Sequence, residues 1–232
     1  MSFHERLQRE TAAERAHLLS APILQDAVSG RVTLTQYRAF LGQAFHHVRH
    51  TVPLLMACGA RLPARHEALR HAIAEYIDEE IGHEEWILDD IVACGGDREA
   101  ARMSEPAIET ELMVSYAYDC IARKNPVGFF GMVHVLEGTS VSLALLAADN
   151  IQKPLNLPDA AFSYLRSHGT LDQEHTAHFE LLMDRLEDRA DQDAIVHAAR
   201  AFFRLYGDVF RDLPLPAPLP VPATQALDGA MA

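Results

Sequence analysis

A chain of 232 residues, 49% of them hydrophobic, is long enough to bury one large core, and disorder is not its default. A formal charge of -13 repels phosphate backbones, and no Lys/Arg cluster reverses that locally, so nucleic acid is excluded as a partner. Cys58, Cys94 and Cys120 form no C-x-x-C pair, which argues against a disulfide framework or thiolate zinc and fits a reducing cytoplasm. The polar start Met1-Ser2-Phe3-His4-Glu5-Arg6 is not a signal peptide, and the most apolar stretch, 141–148, is far too short to span a membrane.

The dominant period is helical. Residues 3–19 read as a mostly polar helix and 22–29 as a short one. Thr33 with Gln36 three residues later has the form of a capping box and opens a helix to about residue 58, along which Phe40, Ala44, Val48, Val52 and Leu55 keep helical spacing. A helix over 64–94 stops at Gly95-Gly96, and another over 106–124 stops before Pro126. A strongly apolar helix covers 127–150, with Pro154 and Pro158 in the connection after it. Asp159 is placed to cap a long helix to about 188, and 191–211 form the last. No two-residue alternation is sustained between hairpin turns and no internal repeat is visible, so the expected class is all-α. Residues 1–212 form one domain. Residues 213–232 begin with prolines at every second position, which impose an extended, polyproline-like course, either as a loose tail or as a docked strap.

Three pieces of this chain carry metal-ligand chemistry. His168, Asp172 and His175 stand in the spacing H-x-x-x-D-x-x-H; at about 100° per residue they fall within about 60° of one another on a helix. The alternative is a histidine-rich solvent face. Glu80 and His83 are three apart, so both can face one neighbour. Glu79 is an equal geometric candidate, and the surrounding acids Asp78, Glu84 and Glu85 read equally as a solvated run. Glu137 sits in the most apolar part of the chain, where an ionised carboxylate costs several kcal/mol without a compensating partner. It is metal-bound, paired with His134 or an arginine, or at a water-facing edge. Glycine adjoins one ligand candidate in each piece (Gly82, Gly138, Gly169), which calls for a close helix crossing or for space beside the ligands. Histidine and carboxylate without thiolate favour iron or manganese over structural zinc.

These motifs resemble those of the haem-oxygenase-like di-iron oxidases and oxygenases, a family in the same superfamily as TenA-type thiaminases and pyrroloquinoline-quinone synthase. His168, Asp172 and His175 match the last ligand helix of that family in full, Glu137 matches its central glutamate, and His83 its first histidine. Tyr76 stands where several members have their first glutamate, seven residues before that histidine; others use the position of Glu80. The resemblance covers most of residues 5–212 and implies a bundle of about seven helices, two Fe(II) held by Glu80, His83, Glu137, His168, Asp172 and His175, and a homodimer. A ferritin-like bundle needs an acid on the preceding helix, and residues 33–58 contain no Asp or Glu. A TenA-type nucleophile has no support, because no cysteine follows Cys120.

The expected function is therefore an iron-dependent, dioxygen-activating oxidase or oxygenase acting on an unidentified small organic molecule. Phe129, Phe130 and Met132 are expected to shape its pocket, with Arg49 and His50 near the substrate. The alternatives are a haem or small-ligand binder using His46, His47 or His50, and a cofactorless oxidase of the quinone-synthase type.

Overall fold

The computed structural model describes residues 1–214, except the side chains of Ser142 and of residues 168–176. Among the described residues all regular structure is helical. The helices are α1 (Phe3–Glu10), α2 (Ala12–Leu19), α3 (Pro22–Val28), α4 (Leu34–Val48), α5 (Thr51–Arg61), α6 (Glu67–Glu80), α7 (His83–Ala93), α8 (Arg98–Arg102), α9 (Ile108–Arg123), α10 (Phe130–Leu155), α11 (Ser163–Asp184) and α12 (Arg189–Asp212).

Twelve helices stand where about seven are expected because three long runs are broken, each for a local reason. The run over 3–19 breaks at Thr11, whose hydroxyl bonds back to the Leu7 carbonyl at 2.8 Å. The capping box of Thr33 and Gln36 forms in both directions at the start of α4. That run nevertheless ends at Arg49-His50, because Pro53 has no N–H for the Arg49 carbonyl and is accommodated only in the first turn of a new helix. The run over 64–94 breaks at Gly82, whose φ of 90° lies in the left-handed region that side chains resist. Rejoined, the three leave seven long helical runs with the short α3 and α8 between them.

The core runs along α10, which packs against α11, α12 and α3. α12 buries Ile195, Val196, Ala199, Phe202, Phe203, Tyr206 and Phe210, a three-and-four spacing that lays one stripe on α10, α2 and α9. Its close approach to α10 depends on Gly131: a Cβ there would lie 2.6 Å from the Ala199 nitrogen and 2.7 Å from the Ile195 carbonyl oxygen. Within α10, Thr139 and Ser140 turn their hydroxyls back to the carbonyls of Val135 (2.6 Å) and Glu137 (3.1 Å). Such back-bonding bends helices, and the arms Pro126–Val141 and Leu143–Leu155 lie 44° apart. The helix continues past its expected end at residue 150, with Pro154 in its last turn and Asn156 as a left-handed cap. No single helix among the described residues is long and apolar enough to cross a membrane; the two bent arms of α10 pass that test only together. Beyond α12, Leu213 is buried and the Pro214 carbonyl accepts a 2.9 Å bond from Gln36; residues 215–232, the remainder of the expected proline-rich tail, lie outside the described residues.

Candidate metal centre

The Glu80–His83 pair is built at the broken joint of α6 and α7. Glu80 ends α6, and Gly82 turns the chain by its positive φ. His83 opens α7, so the pair does not share one helix as its spacing suggests. The turn nonetheless brings the His83 ring nitrogen Nδ1 to 3.1 Å from the Glu80 carboxylate. His83 is 3% exposed and its ring tilts against Trp86, with centroids 4.0 Å apart. Glu79 and Asp78 are exposed, which separates Glu80 from its neighbours in the acidic run. Glu85 is tied by Arg102, at 2.9 Å, and by Arg98, and these bonds hold its carboxyl below the usual range.

Glu137 comes from the bent helix α10 and lines the same cavity as Glu80. This cavity holds about 730 Å³, and Phe129, Met132, Val133 and Leu136 make up much of its wall. Tyr76 also lines it, from the position where the sequence departs from the glutamate of related chains. So do His47, Thr51, Tyr164 and Tyr206. Next to Glu137, Gly138 has open space where a side chain would stand, since a Cβ would meet nothing within 4 Å. Space, rather than a close crossing, is what this glycine provides. His134 packs instead in an aromatic cluster with His4, Phe179 and Phe203. Burial, with smaller effects from His4 and Arg15, pushes its pKa down to about 3.

Of the expected pocket residues, Phe129 and Met132 line the cavity. Phe130 is fully buried without lining it, and Arg49 is exposed, its guanidinium 5.4 Å from the Phe45 ring centroid. His50 bonds the Tyr118 hydroxyl at 3.1 Å, away from that lining. The spacing over 45–50 is read as one helix, whereas the break after Val48 redirects both Arg49 and His50. His46 bonds Ser104 at 2.9 Å, which leaves His47 as the member of the histidine cluster that faces the cavity.

His168, Asp172 and His175 lie on α11, which packs on α10 and α7; their side chains, like Gly169, fall outside the described residues. What orients this helix was not foreseen. Its N-terminus is capped by Asp90 of α7, not by Asp159, which opens a short turn of 3-10 helix. A signal was present, because Asp90 keeps a three-and-four spacing with the buried Ile87 and Cys94.

Among the described residues, no three His, Cys, Asp or Glu side chains form a group able to hold a metal by themselves. The donor chemistry nevertheless fits iron: two carboxylates from different helices share one largely apolar cavity and an imidazole stands beside one of them, with no thiolate. Carboxylates in such surroundings require a cation or donors to offset lost hydration.

The all-helical fold and this cavity define the haem-oxygenase-like class. Within that class, the chain belongs to the family of iron-containing redox enzymes, whose model matches residues 38–207. A domain of unknown function with a heme oxygenase-like fold from Shewanella denitrificans is 22% identical, with 92% of each chain covered and a TM-score of 0.80. A TenA homologue from Pseudomonas syringae is 10% identical, covering 91% of each chain with a TM-score of 0.76. Heme oxygenase-1 from Synechocystis, solved with heme, is 13% identical, covering 92% of each chain with a TM-score of 0.71. These likenesses establish the fold. No curated protein matches the chain in sequence.

Proposed function

We propose that this protein is a non-haem di-iron oxidase or oxygenase that uses dioxygen on a small organic molecule. The observation that carries the reading is the shared cavity of Glu80 and Glu137, carboxylates from two helices facing one largely apolar space beside the buried His83. His168, Asp172 and His175 complete the ligand set from α11. In support, Leu165, Phe179 and Leu182 of that helix are buried, and positions 168, 172 and 175 continue their spacing of three and four.

Bound iron supplies the one-electron and dioxygen chemistry that side chains perform poorly. Around it, Phe129, Met132, Val133 and Leu136 keep water from the reacting carbon, and Gly138 leaves room beside Glu137. Glu80 accepts from His83 Nδ1, which fixes the imidazole orientation and leaves Nε2 as its ligand atom. The hydroxyl of Tyr76 and the ring of His47 are the polar groups left to orient substrate in this wall.

Anaerobic ferrous titration followed by admission of air tests the reading. Two irons per chain and dioxygen uptake, both lost in Glu137→Gln, support it; uptake without bound iron overturns it in favour of a cofactorless oxidase. A second reading, haem binding, is favoured by one observation, the position of the buried His47 in the cavity wall. It requires a Soret band on haem addition that disappears in His47→Ala.

A further inference from the structure

A second cavity, of about 680 Å³, adjoins the carboxylate-lined one and shares Ser140, Tyr164 and Tyr206 with it. Its walls come from α3 (Ile23, Ala27), α4 (Phe40) and the far arm of α10 (Ala144, Ala147, Ile151). The few polar side chains in this wall are already engaged. The Tyr37 hydroxyl donates to the Ala161 carbonyl at 2.7 Å, and Thr139 donates to Val135 at 2.6 Å. Gln36 donates to the Pro214 carbonyl and accepts from Thr33. What remains for a ligand is carbon surface. Among the described residues, no Lys or Arg lines either cavity.

From this pair of connected spaces, we infer the substrate class. The protein takes a neutral, elongated molecule whose alkyl or prenyl chain lies in the second cavity, threading past Ser140 so that its reacting end faces Glu137. The bend of α10 makes this division: the near arm carries Glu137, and the far arm carries the alanines that leave space for the chain. A substrate anchored by an anionic head finds no described cation in either wall. The chemistry at the reacting end rests on the proposed iron centre, whereas the chain-binding cavity does not depend on it.

The test uses the full-length protein without metal and the homologous n-alkan-1-ols from butanol to tetradecanol, with affinity read by displacement of Nile red. Affinity is expected to rise about fourfold per methylene, then to level off at the length that fills the cavity. Ala144→Phe and Ala147→Leu are expected to shorten that limiting length by several carbons. A rise without a limit, no dependence on length, or a limiting length unchanged in folded variants overturns the proposal. So does octanoate binding more tightly than octanol. Should both variants fail to fold, the wild-type series still decides by its limit. Ferrous binding, measured on the same preparations, fails independently: loss of iron with alcohol binding intact removes the metal centre and leaves the chain cavity standing.

Discussion

Asp90 caps Ser163. The Asp90 carboxylate, 0% exposed near the end of α7, accepts the backbone N–H groups of Ser163 and Tyr164 at 3.0 Å each, and the Ser163 hydroxyl as well. The helix that begins with His83 thus fixes the start of the helix that carries His168, Asp172 and His175. Burial raises the Asp90 pKa, against the lowering effect of its bonds to Ser163 and Tyr164. The carboxylate is held there by its cap geometry at the cost of lost hydration.

Removing this cap leaves several buried donors without an acceptor. Asp90→Ala is expected to cost about 2–4 kcal/mol in urea unfolding and to lower iron loading, although Asp90 is not a ligand. Asp90→Asn keeps one acceptor oxygen and falls between wild type and alanine. Full iron loading in a folded Asp90→Ala protein would show that α11 is oriented by other contacts.

His134 makes stability depend on pH. Its folded pKa of about 3 lies below its ordinary 6.5, so between those values the unfolded chain binds a proton that the folded chain does not. Its contribution is fully present above pH 6.5 and is lost as the pH falls through that window, at about 1.4 kcal/mol per unit at most. Urea unfolding at pH 7.5, 6 and 5 is expected to show this slope, and His134→Phe to flatten it. An identical slope in the variant assigns the acid sensitivity to other groups.

Two glycines of one helix should respond oppositely. Gly131→Ala drives a methyl group into the backbone of α12, 2.6 Å from the Ala199 nitrogen, and is expected to lower stability by about 2–3 kcal/mol. Gly138→Ala meets open space and is expected to gain up to about 1 kcal/mol from helix propensity. Thermal unfolding of both variants reads the difference directly.

The sequence made the class legible because helical spacing survives any packing detail: Phe40, Ala44 and Val48 mark α4 whether or not that helix continues. The breaks were harder to read. Gly82 and Pro53 are visible as residues, but whether a glycine or proline ends a helix depends on what surrounds it, and Pro154 does not end α10. The same limit governed the site. Glu80, His83 and Glu137 were chosen by residue type and spacing, and Glu80 and Glu137 do face one cavity. Arg49 and His50 were assigned to the pocket from their place on a supposedly continuous helix, and the break after Val48 moved them away. Asp90 went unnoticed because its role lies in the first turn of a helix more than seventy residues away.

Anomalous diffraction at the iron edge, from crystals loaded anaerobically with Fe(II), tests the central claim most directly. Two peaks are expected between Glu137 on one side and the Glu80–His83 pair on the other, with α11 supplying His168, Asp172 and His175. No peak in that cavity at full iron occupancy, or iron bound only at other residues, would contradict the account.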